Sequence, residues 1–269
     1  MTAVAARAIW KGVLRVGETE VPVKLYSAVE DRKVHFRLLD AKDEKPVEQR
    51  MVHPATGEPV EKDEVRKGWE AEPGVFVVLG DEDLAQAQPE ASRAVELTRF
   101  VPAEAIDPPW YERPYWLGPD GDDAREPYLA LAAALEREGR QGVARWTMRK
   151  KRYAGALHAR NGRLMLVTLR NAGEVISAAD LPAPRGRQLA ERELAMARQL
   201  VEALEDDFRP EDYRDEHRER VAELVAAKAA GKAPKVRKMR PKKPSDDLDR
   251  ALAASLEKAR GGGRQRRAG

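Results

Sequence analysis

The spacing of apolar residues changes once along the chain, near Pro182, and this change limits the folds that the chain can adopt. Before Pro182 the apolar residues occur in short runs that are rich in β-branched and aromatic side chains, which favours strands. After it, apolar residues from Leu194 to Phe208 recur every three or four positions, which predicts one face of a helix. We therefore expect an α+β protein in which a β-rich body precedes a helical segment.

The β-rich part contains two strong turn signals and several short candidate strands. Gly17-Glu18 separates the first two runs, and Asn161-Gly162, the preferred pair for a two-residue hairpin, separates the last two. The continuous apolar run at 75–79 predicts a strand buried on both faces. Many short strands at this spacing indicate a barrel or a sandwich. Strands are predicted over residues 8–16, 20–29, 34–39, 47–53, 75–79, 94–101, 115–117, 152–160 and 163–170, and short helices after Asp81 and over 124–138.

A second helix is predicted after the one that carries Leu194. Pro210 suits the first turn of a helix, where its missing N–H costs nothing. The apolar stripe then runs from Tyr213 to Leu224, and Gly231 favours the C-terminal end. Whether this helical pair packs on the body or reaches a partner subunit remains open.

Positive charge is concentrated at the C-terminus. Residues 228–269 hold 14 Lys and Arg against 4 Asp and Glu, a balance of +10, whereas residues 1–227 have a balance of −7. This asymmetry indicates a folded body with a cationic arm for a polyanion, although a basic tail that only aids solubility is the alternative. The arm lacks core residues and should be disordered alone. Its candidate polyanion contacts are Lys235, Arg237, Lys238, Arg240, Lys242 and Lys243.

A short amphipathic helix is predicted inside this tail, over residues 246–260. Ser245 is a good cap, and acidic residues precede basic ones along the segment, as the helix dipole favours. Leu248, Leu252 and Leu256 share one face that nothing nearby in sequence covers. The segment is therefore predicted to dock on a partner protein and to fold on binding. The alternative is a marginal helix that frays in water.

The residues give no positive sign of catalysis. The chain has no cysteine, which excludes disulfides and thiolate metal sites. It carries no phosphate-binding loop, nucleophile elbow or HExxH motif, and its four histidines lack metal-ligand spacing. No apolar run approaches the roughly 20 residues of a membrane helix. We expect a cytosolic protein without catalytic residues, metal or cofactor.

The strongest functional signal is a cluster of cations between two predicted strands. Strand alternation places Arg145, Thr147 and Arg149 on one side, where guanidinium groups can face a phosphate backbone. A solvated charged face is the alternative for any one of these arginines. A weaker group, Arg32, Lys33 and Arg37, surrounds the third strand. The candidate phosphate-binding residues are Lys33, Arg145, Arg149, Lys150, Lys151 and Arg152.

Several motifs resemble those of bacterial Ku proteins. The segments 6–12 (ARAIWKG) and 21–28 (VPVKLYSA) are similar to the start of that family, and this pair is highly specific. The later motifs follow in the family's order. They are the lysine–glycine–aromatic turn at 65–70, FVP at 100–102, IDP at 106–108, YWL at 115–117 and the helix at 194–208.

The resemblance implies an antiparallel Ku-type β-barrel core with a bridge arm (6–182), a C-terminal helical arm (183–231) and a basic tail (232–269). It also implies a non-enzymatic homodimeric ring in the nucleoid-associated cytoplasm. This ring would bind double-stranded DNA ends without sequence specificity and recruit the ATP-dependent DNA ligase D. Some members carry a Cys-x-x-Cys pair where this chain has VHPATG at 52–57, so no zinc is expected.

Two other functions compete with this prediction. In the first, the barrel is a protein-interaction scaffold and the tail binds nucleic acid nonspecifically; linear and covalently closed DNA of equal length would separate it from an end-binding ring. In the second, the chain is a nuclease or another phosphoryl-transfer enzyme, which requires a carboxylate–metal cluster.

Overall fold

The computed structural model describes residues 7–183, 186–231, 252–253 and 255–257, and the chain divides into two compact units after Asp180. The strands are β1 Trp10–Val16, β2 Thr19–Ser27, β3 Lys67–Glu72, β4 Val75–Leu79, β5 Ala94–Pro102, β6 Tyr111–Pro119, β7 Arg140–Met148, β8 Lys151–Arg160 and β9 Arg163–Leu169. The α-helices are α1 Asp81–Gln86, α2 Arg125–Arg137, α3 Glu191–Ala203 and α4 Glu216–Ala229.

Both turn signals of the sequence produce the predicted hairpins. Val16 pairs with Thr19, so Gly17-Glu18 is the complete β1–β2 turn, and the φ of Gly17 is 57°. Arg160 pairs with Arg163, so Asn161-Gly162 connects β8 to β9 in the same way. The predictions of these two hairpins are confirmed.

Seven strands form a closed barrel in the order β1-β2-β6-β9-β8-β7-β5. Six of its seven pairings are antiparallel, and β1 closes the barrel by pairing in parallel with β5, from Val13–Ala94 to Arg15–Glu96. The predicted barrel and α+β class are confirmed, with this one parallel junction as the exception. The junction brings together segments that are about 80 residues apart in sequence, which local patterns cannot reveal.

The barrel interior is filled by apolar side chains from every strand, and α2 packs against it. Trp146 on β7 is buried inside and stacks on Tyr153 of β8, with ring centroids 5.3 Å apart. Gly155 makes this possible, because a Cβ there would lie 2.6 Å from the Trp146 ring. From α2, the Tyr128 hydroxyl donates to the Leu117 carbonyl and accepts from the Leu164 N–H, each at 2.8 Å. The Tyr128 hydroxyl is thus satisfied in the core both as a donor and as an acceptor.

The segment between β2 and β3 differs from the prediction. Residues 34–39 and 47–53 were expected to form strands, but each contributes only one isolated bridge, Leu39–Pro46 and Val52–Pro59. Each bridge closes a tight loop with an i+4 to i hydrogen bond, Glu44 N–H to the Asp40 carbonyl at 2.9 Å and Gly57 N–H to the His53 carbonyl at 2.8 Å. The strand predictions were wrong because local turns satisfy the backbone groups that a ladder would use.

The β3–β4 hairpin is a two-stranded sheet outside the barrel. The prediction of a strand at Val75–Leu79 is confirmed, but the prediction that it is buried on both faces is wrong. Trp69 is 70% exposed and Phe76 61% exposed, since no third strand joins this sheet within the described residues. Residues 65–70, expected from the resemblance to form a turn, mostly belong to β3. We call β3–β4 the apolar arm.

The second unit contains α3 and α4. Glu193 accepts from the Ala190 N–H at 2.7 Å and from the Arg187 guanidinium, and these contacts lower its pKa to about 2. Asp215 caps α4 by accepting from the Arg218 N–H at 3.0 Å. Gly231, with φ of 69°, follows the end of α4 as predicted. The predicted helix start at Pro210 is wrong, because Pro210–Asp212 is a single 3₁₀ turn and α4 begins at Glu216.

Among the described residues, no helix is long and apolar enough to cross a membrane.

Candidate nucleic-acid interface

The cation cluster lies at the hairpin between β7 and β8. Met148 pairs with Lys151, so Arg149 and Lys150 are the whole connection. Their φ angles are 51° and 64°, in the left-handed region that favours glycine and asparagine. We call this pair the cationic turn. It fixes two positive side chains at one end of the barrel on a rigid element.

The strand that follows divides the remaining cations between two faces. Consecutive strand residues point in opposite directions. Lys151 shares a face with Tyr153, and its Nζ lies 5.4 Å from the centroid of that ring. Arg152 pairs with Thr147 and points the other way. In the described part of the chain none of the four cations from Arg149 to Arg152 forms a salt bridge. The pKa of Glu174 is lowered by hydrogen bonds from Asn171 and, less strongly, by the charge of Lys151, so Lys151 has an acidic neighbour.

Arg113 joins this cluster from β6. Its guanidinium carbon lies 5.8 Å from the centroid of the Tyr115 ring. Burial raises the pKa of Tyr115, and the positive charges of Arg113 and Arg149 oppose that rise, which places both cations near the phenol. Sequence reasoning missed Arg113, because a single arginine between Glu112 and Pro114 gives no local signal. Its alternation with Tyr115 on a strand was the only available indication.

Arg145 does not belong to the same group. It lies four residues before Arg149, about 13 Å along a strand. Its register partner on β5 is Glu96, which accepts from Arg15 Nη1 at 2.6 Å. The predicted row of Arg145, Thr147 and Arg149 is wrong, because Thr147 is buried and Arg149 lies in the turn. Arg145 is therefore part of a cross-strand series of alternating charges.

Lys33 lies in the segment that follows β2. Its backbone N–H donates to Asp31 Oδ1 at 3.0 Å, and its Nζ is 3.8 Å from Asp31 Oδ2. The backbone hydrogen bond, with Lys33 and Arg113 as neighbouring charges, lowers the pKa of Asp31. Lys33 is thus partly neutralised, whereas the cationic turn is not.

The tail predictions fall mostly outside the described residues. These include the six candidate DNA contacts (Lys235, Arg237, Lys238, Arg240, Lys242 and Lys243) and Leu248. Leu252 and Leu256 are described and are helical. Leu256 is only 8% exposed, so the expectation of an uncovered apolar face does not hold at that residue. A docking role would require Leu256 to become exposed.

No group of three or more acidic or histidine side chains in the described residues is arranged to hold a metal ion. Asp120 illustrates how carboxylates are used instead. It accepts from Lys24 at 2.8 Å and from Lys11 at 3.0 Å, and these contacts lower its pKa. This cluster joins β1, β2 and the end of β6.

Comparison with known proteins decides the family. The sequence model of the Ku family, described as the Ku70/Ku80 beta-barrel domain, matches residues 15–196. The chain belongs to the Ku family. It is 37% identical to the non-homologous end joining protein Ku 2 of Geotalea uraniireducens, over 94% of this chain and 99% of that protein. It is 36% identical to the non-homologous end joining protein Ku of Mycolicibacterium smegmatis, over 84% of this chain and 72% of that protein.

A third relative matches over a similar share of the chain. The non-homologous end joining protein Ku of Bacillus subtilis is 33% identical over 94% of this chain and 82% of that protein. Among solved structures, the SPOC domain of human PHD-finger protein 3 covers 61% of this chain at 12% identity, with a TM-score of 0.29. That score is too low to support an argument.

Proposed function

We propose that this protein is a homodimeric ring that binds double-stranded DNA ends without sequence specificity in non-homologous end joining. A protein that accepts any broken end cannot depend on base edges, so phosphate contacts and shape must supply its affinity. The role is one of binding and recruitment, with no catalytic step.

The observation that carries this proposal is the cationic turn. Arg149 and Lys150 are held in a costly backbone conformation without acidic partners in the described residues, next to Arg113 and Lys151. Left-handed backbone at non-glycine residues costs about 1 kcal/mol or more and is concentrated at functional sites. Rigidly presented cations of this kind suit phosphate oxygens.

Dimerisation is supported by apolar surface that one chain leaves uncovered. Trp69, Phe76 and Val78 are all exposed on the apolar arm, and an isolated two-stranded sheet is marginally stable in water. Exposed apolar surface of this kind marks protein interfaces. A second copy that packs on the apolar arm would bury these residues and close a ring. Light scattering at micromolar concentration should give twice the chain mass of 30.1 kDa, and a monomer would contradict the ring.

The tail is proposed to have two functions, each in a different segment. Its basic segments would add counterion-release affinity, and the predicted helix at 246–260 would dock the ATP-dependent ligase D. Changing Leu248, Leu252 and Leu256 to Ala leaves the charge unaltered. We expect this variant to bind DNA normally and to lose the stimulation of end ligation. Normal stimulation of ligation with weakened DNA affinity would mean that the helix contacts DNA and not the ligase.

The decisive experiment compares DNA of one sequence and length with different ends. The probes are a linear duplex, the same duplex with one or both ends closed by hairpins, and a covalently closed circle. We expect electrophoretic shifts with free ends and loss of binding when both ends are closed. A set of lengths should show additional complexes as the duplex grows. Equal binding to the linear and circular forms would favour the scaffold alternative and overturn the ring.

A further inference from the structure

A cavity of about 340 Å³ lies beside the cationic turn. Its lining combines three apolar residues, Trp10, Pro89 and Met148, with three cationic residues, Arg93, Arg149 and Lys150. None of the described residues that line it is acidic. Its volume is near the lower limit of about 300–1,000 Å³ that is usual for ligand clefts. The cavity therefore suits an anionic group about the size of one nucleotide.

The position of Trp10 in the cavity is fixed by a close contact within β1. A Cβ at position 12 would lie 2.0 Å from Cη2 of Trp10 and 2.3 Å from the carbonyl oxygen of Arg93, so only glycine fits there. The absence of a side chain lets the Trp10 ring lie over the strand. This gives a physical reason for the Trp10-Lys11-Gly12 sequence that marks the start of the barrel.

Hydrogen bonds hold the segment that carries Arg93. The Arg93 carbonyl accepts from the Val13 N–H at 2.8 Å, and Ser92 Oγ accepts from the Ala94 N–H at 3.1 Å. On the other side of the cavity, the pairing of Met148 with Lys151 fixes the cationic turn. Three cations thus converge on one cavity from two segments whose backbones are ordered before any ligand binds. Such preorganisation lowers the entropic cost of binding.

We propose that this cavity binds one phosphate and its adjoining deoxyribose from the DNA backbone. Arg93, Arg149 and Lys150 hold the phosphate oxygens, and the sugar packs against Trp10 and Met148. A phosphate alone would leave the apolar lining residues without a partner, and an apolar ligand would leave the three cations without a counter-charge. The proposal rests on the proposed function, since it assigns a backbone contact to the same DNA. It adds Arg93 and Trp10 to the interface.

The test uses the full chain and two variants that act on the cavity in different ways. Arg93→Gln removes one cation, and Ala91→Phe fills the cavity without changing the charge. Arg99→Gln, at an exposed position of β5 six residues after Arg93, is the matched control. Affinity for a labelled blunt 20-base-pair duplex is measured by fluorescence anisotropy from 50 to 300 mM NaCl, and melting temperatures verify the fold.

We expect both cavity variants to bind about tenfold more weakly and the control to bind normally. The slope of log affinity against log salt should also become less steep in both cavity variants. The expected change is about 0.9 for every cavity that loses its phosphate. The charge-neutral Ala91→Phe change is the sharper test, because a surface charge effect cannot explain a lower slope. Equal slopes in Ala91→Phe and wild type, or equal losses in Arg93→Gln and Arg99→Gln, would overturn the cavity proposal. Failure of the wild type to bind the duplex would overturn the proposed function itself.

Discussion

Two hairpins of the barrel use the same two-residue connection with opposite residue chemistry. In the β8–β9 turn, Asn161 and Gly162 have φ angles of 52° and 68°, and in the cationic turn Arg149 and Lys150 have 51° and 64°. Asparagine and glycine adopt this backbone at little cost, whereas arginine and lysine do not. Backbone stability explains the residues of the β8–β9 turn. It does not explain Arg and Lys in the cationic turn, which require another reason. The proposed DNA binding would supply that reason.

The strongest test of this comparison reverses charge at both turns. Arg149→Glu with Lys150→Glu should reduce affinity for short duplexes by more than about 100-fold, because phosphate contacts are lost and repulsion is added. Arg160→Glu with Arg163→Glu reverses the same number of charges beside the other turn. Anisotropy at about 0.15 M salt, with melting curves for both proteins, makes the comparison. Equal losses would show that the position of the charge does not matter.

A second test replaces the residues of the cationic turn with the Asn-Gly pair of the β8–β9 turn. Arg149→Asn with Lys150→Gly should relieve the backbone cost and raise the free energy of unfolding by about 1 kcal/mol. The melting temperature should rise by about 3 °C for a domain of this size. Affinity for a duplex should fall by about tenfold, since two cations are lost. A variant that is no more stable than wild type would mean that the cationic turn carries no backbone cost.

The reciprocal substitution, which places Arg and Lys in the β8–β9 turn, measures the cost of the left-handed backbone separately from DNA binding. Asn161→Arg with Gly162→Lys should lower the free energy of unfolding by about 1–2 kcal/mol, because both residues must then adopt left-handed backbone. Its affinity for DNA should stay within about twofold of wild type, as added charge at this end of the barrel lies apart from the proposed interface. Urea unfolding measures the first effect and anisotropy the second. A large gain in affinity would move the interface to the β8–β9 end.

The same contrast shows what sequence reasoning can reach. The β8–β9 hairpin was predicted because its turn residues match their backbone. The cationic turn was recognised as charge between two predicted strands, but Arg149 was expected to continue a strand row with Arg145 and Thr147. Arg93 and Arg113 were missed because barrel closure and strand pairing bring them to the turn from distant positions. Such proximity is set by tertiary pairing and leaves no local pattern.

Burial was the other property that local patterns could not fix. Val75–Leu79 has the composition of a core strand and is exposed on the apolar arm. Apolar content predicts that a strand will be covered, but it does not say whether the cover comes from the same chain. The stripe at Val201 and Leu204 is likewise exposed. The error is informative, because both places are candidates for contact with a second copy.

The smallest expected effect concerns His158, which lies on β8 three residues before Asn161 and is away from the proposed interface. Burial lowers the pKa of His158 below its ordinary value of 6.5, and its ring lies 5.4 Å from that of Tyr111. The unfolded chain binds a proton on His158 more readily than the folded chain does. The stability that His158 contributes is therefore present above pH 6.5 and is lost as pH falls through the lowered value. His158→Phe keeps a ring and removes the titration.

Melting temperatures measured between pH 7.5 and 5.5 should therefore fall less for His158→Phe than for wild type. His217→Gln, which removes an exposed histidine from α4, is the control and should follow wild type. Duplex affinity should respond to pH equally in all three proteins, because neither histidine belongs to the proposed interface. If His158→Phe instead changes the pH dependence of DNA binding, the β8–β9 end takes part in recognition, and the functional contrast between the two turns fails.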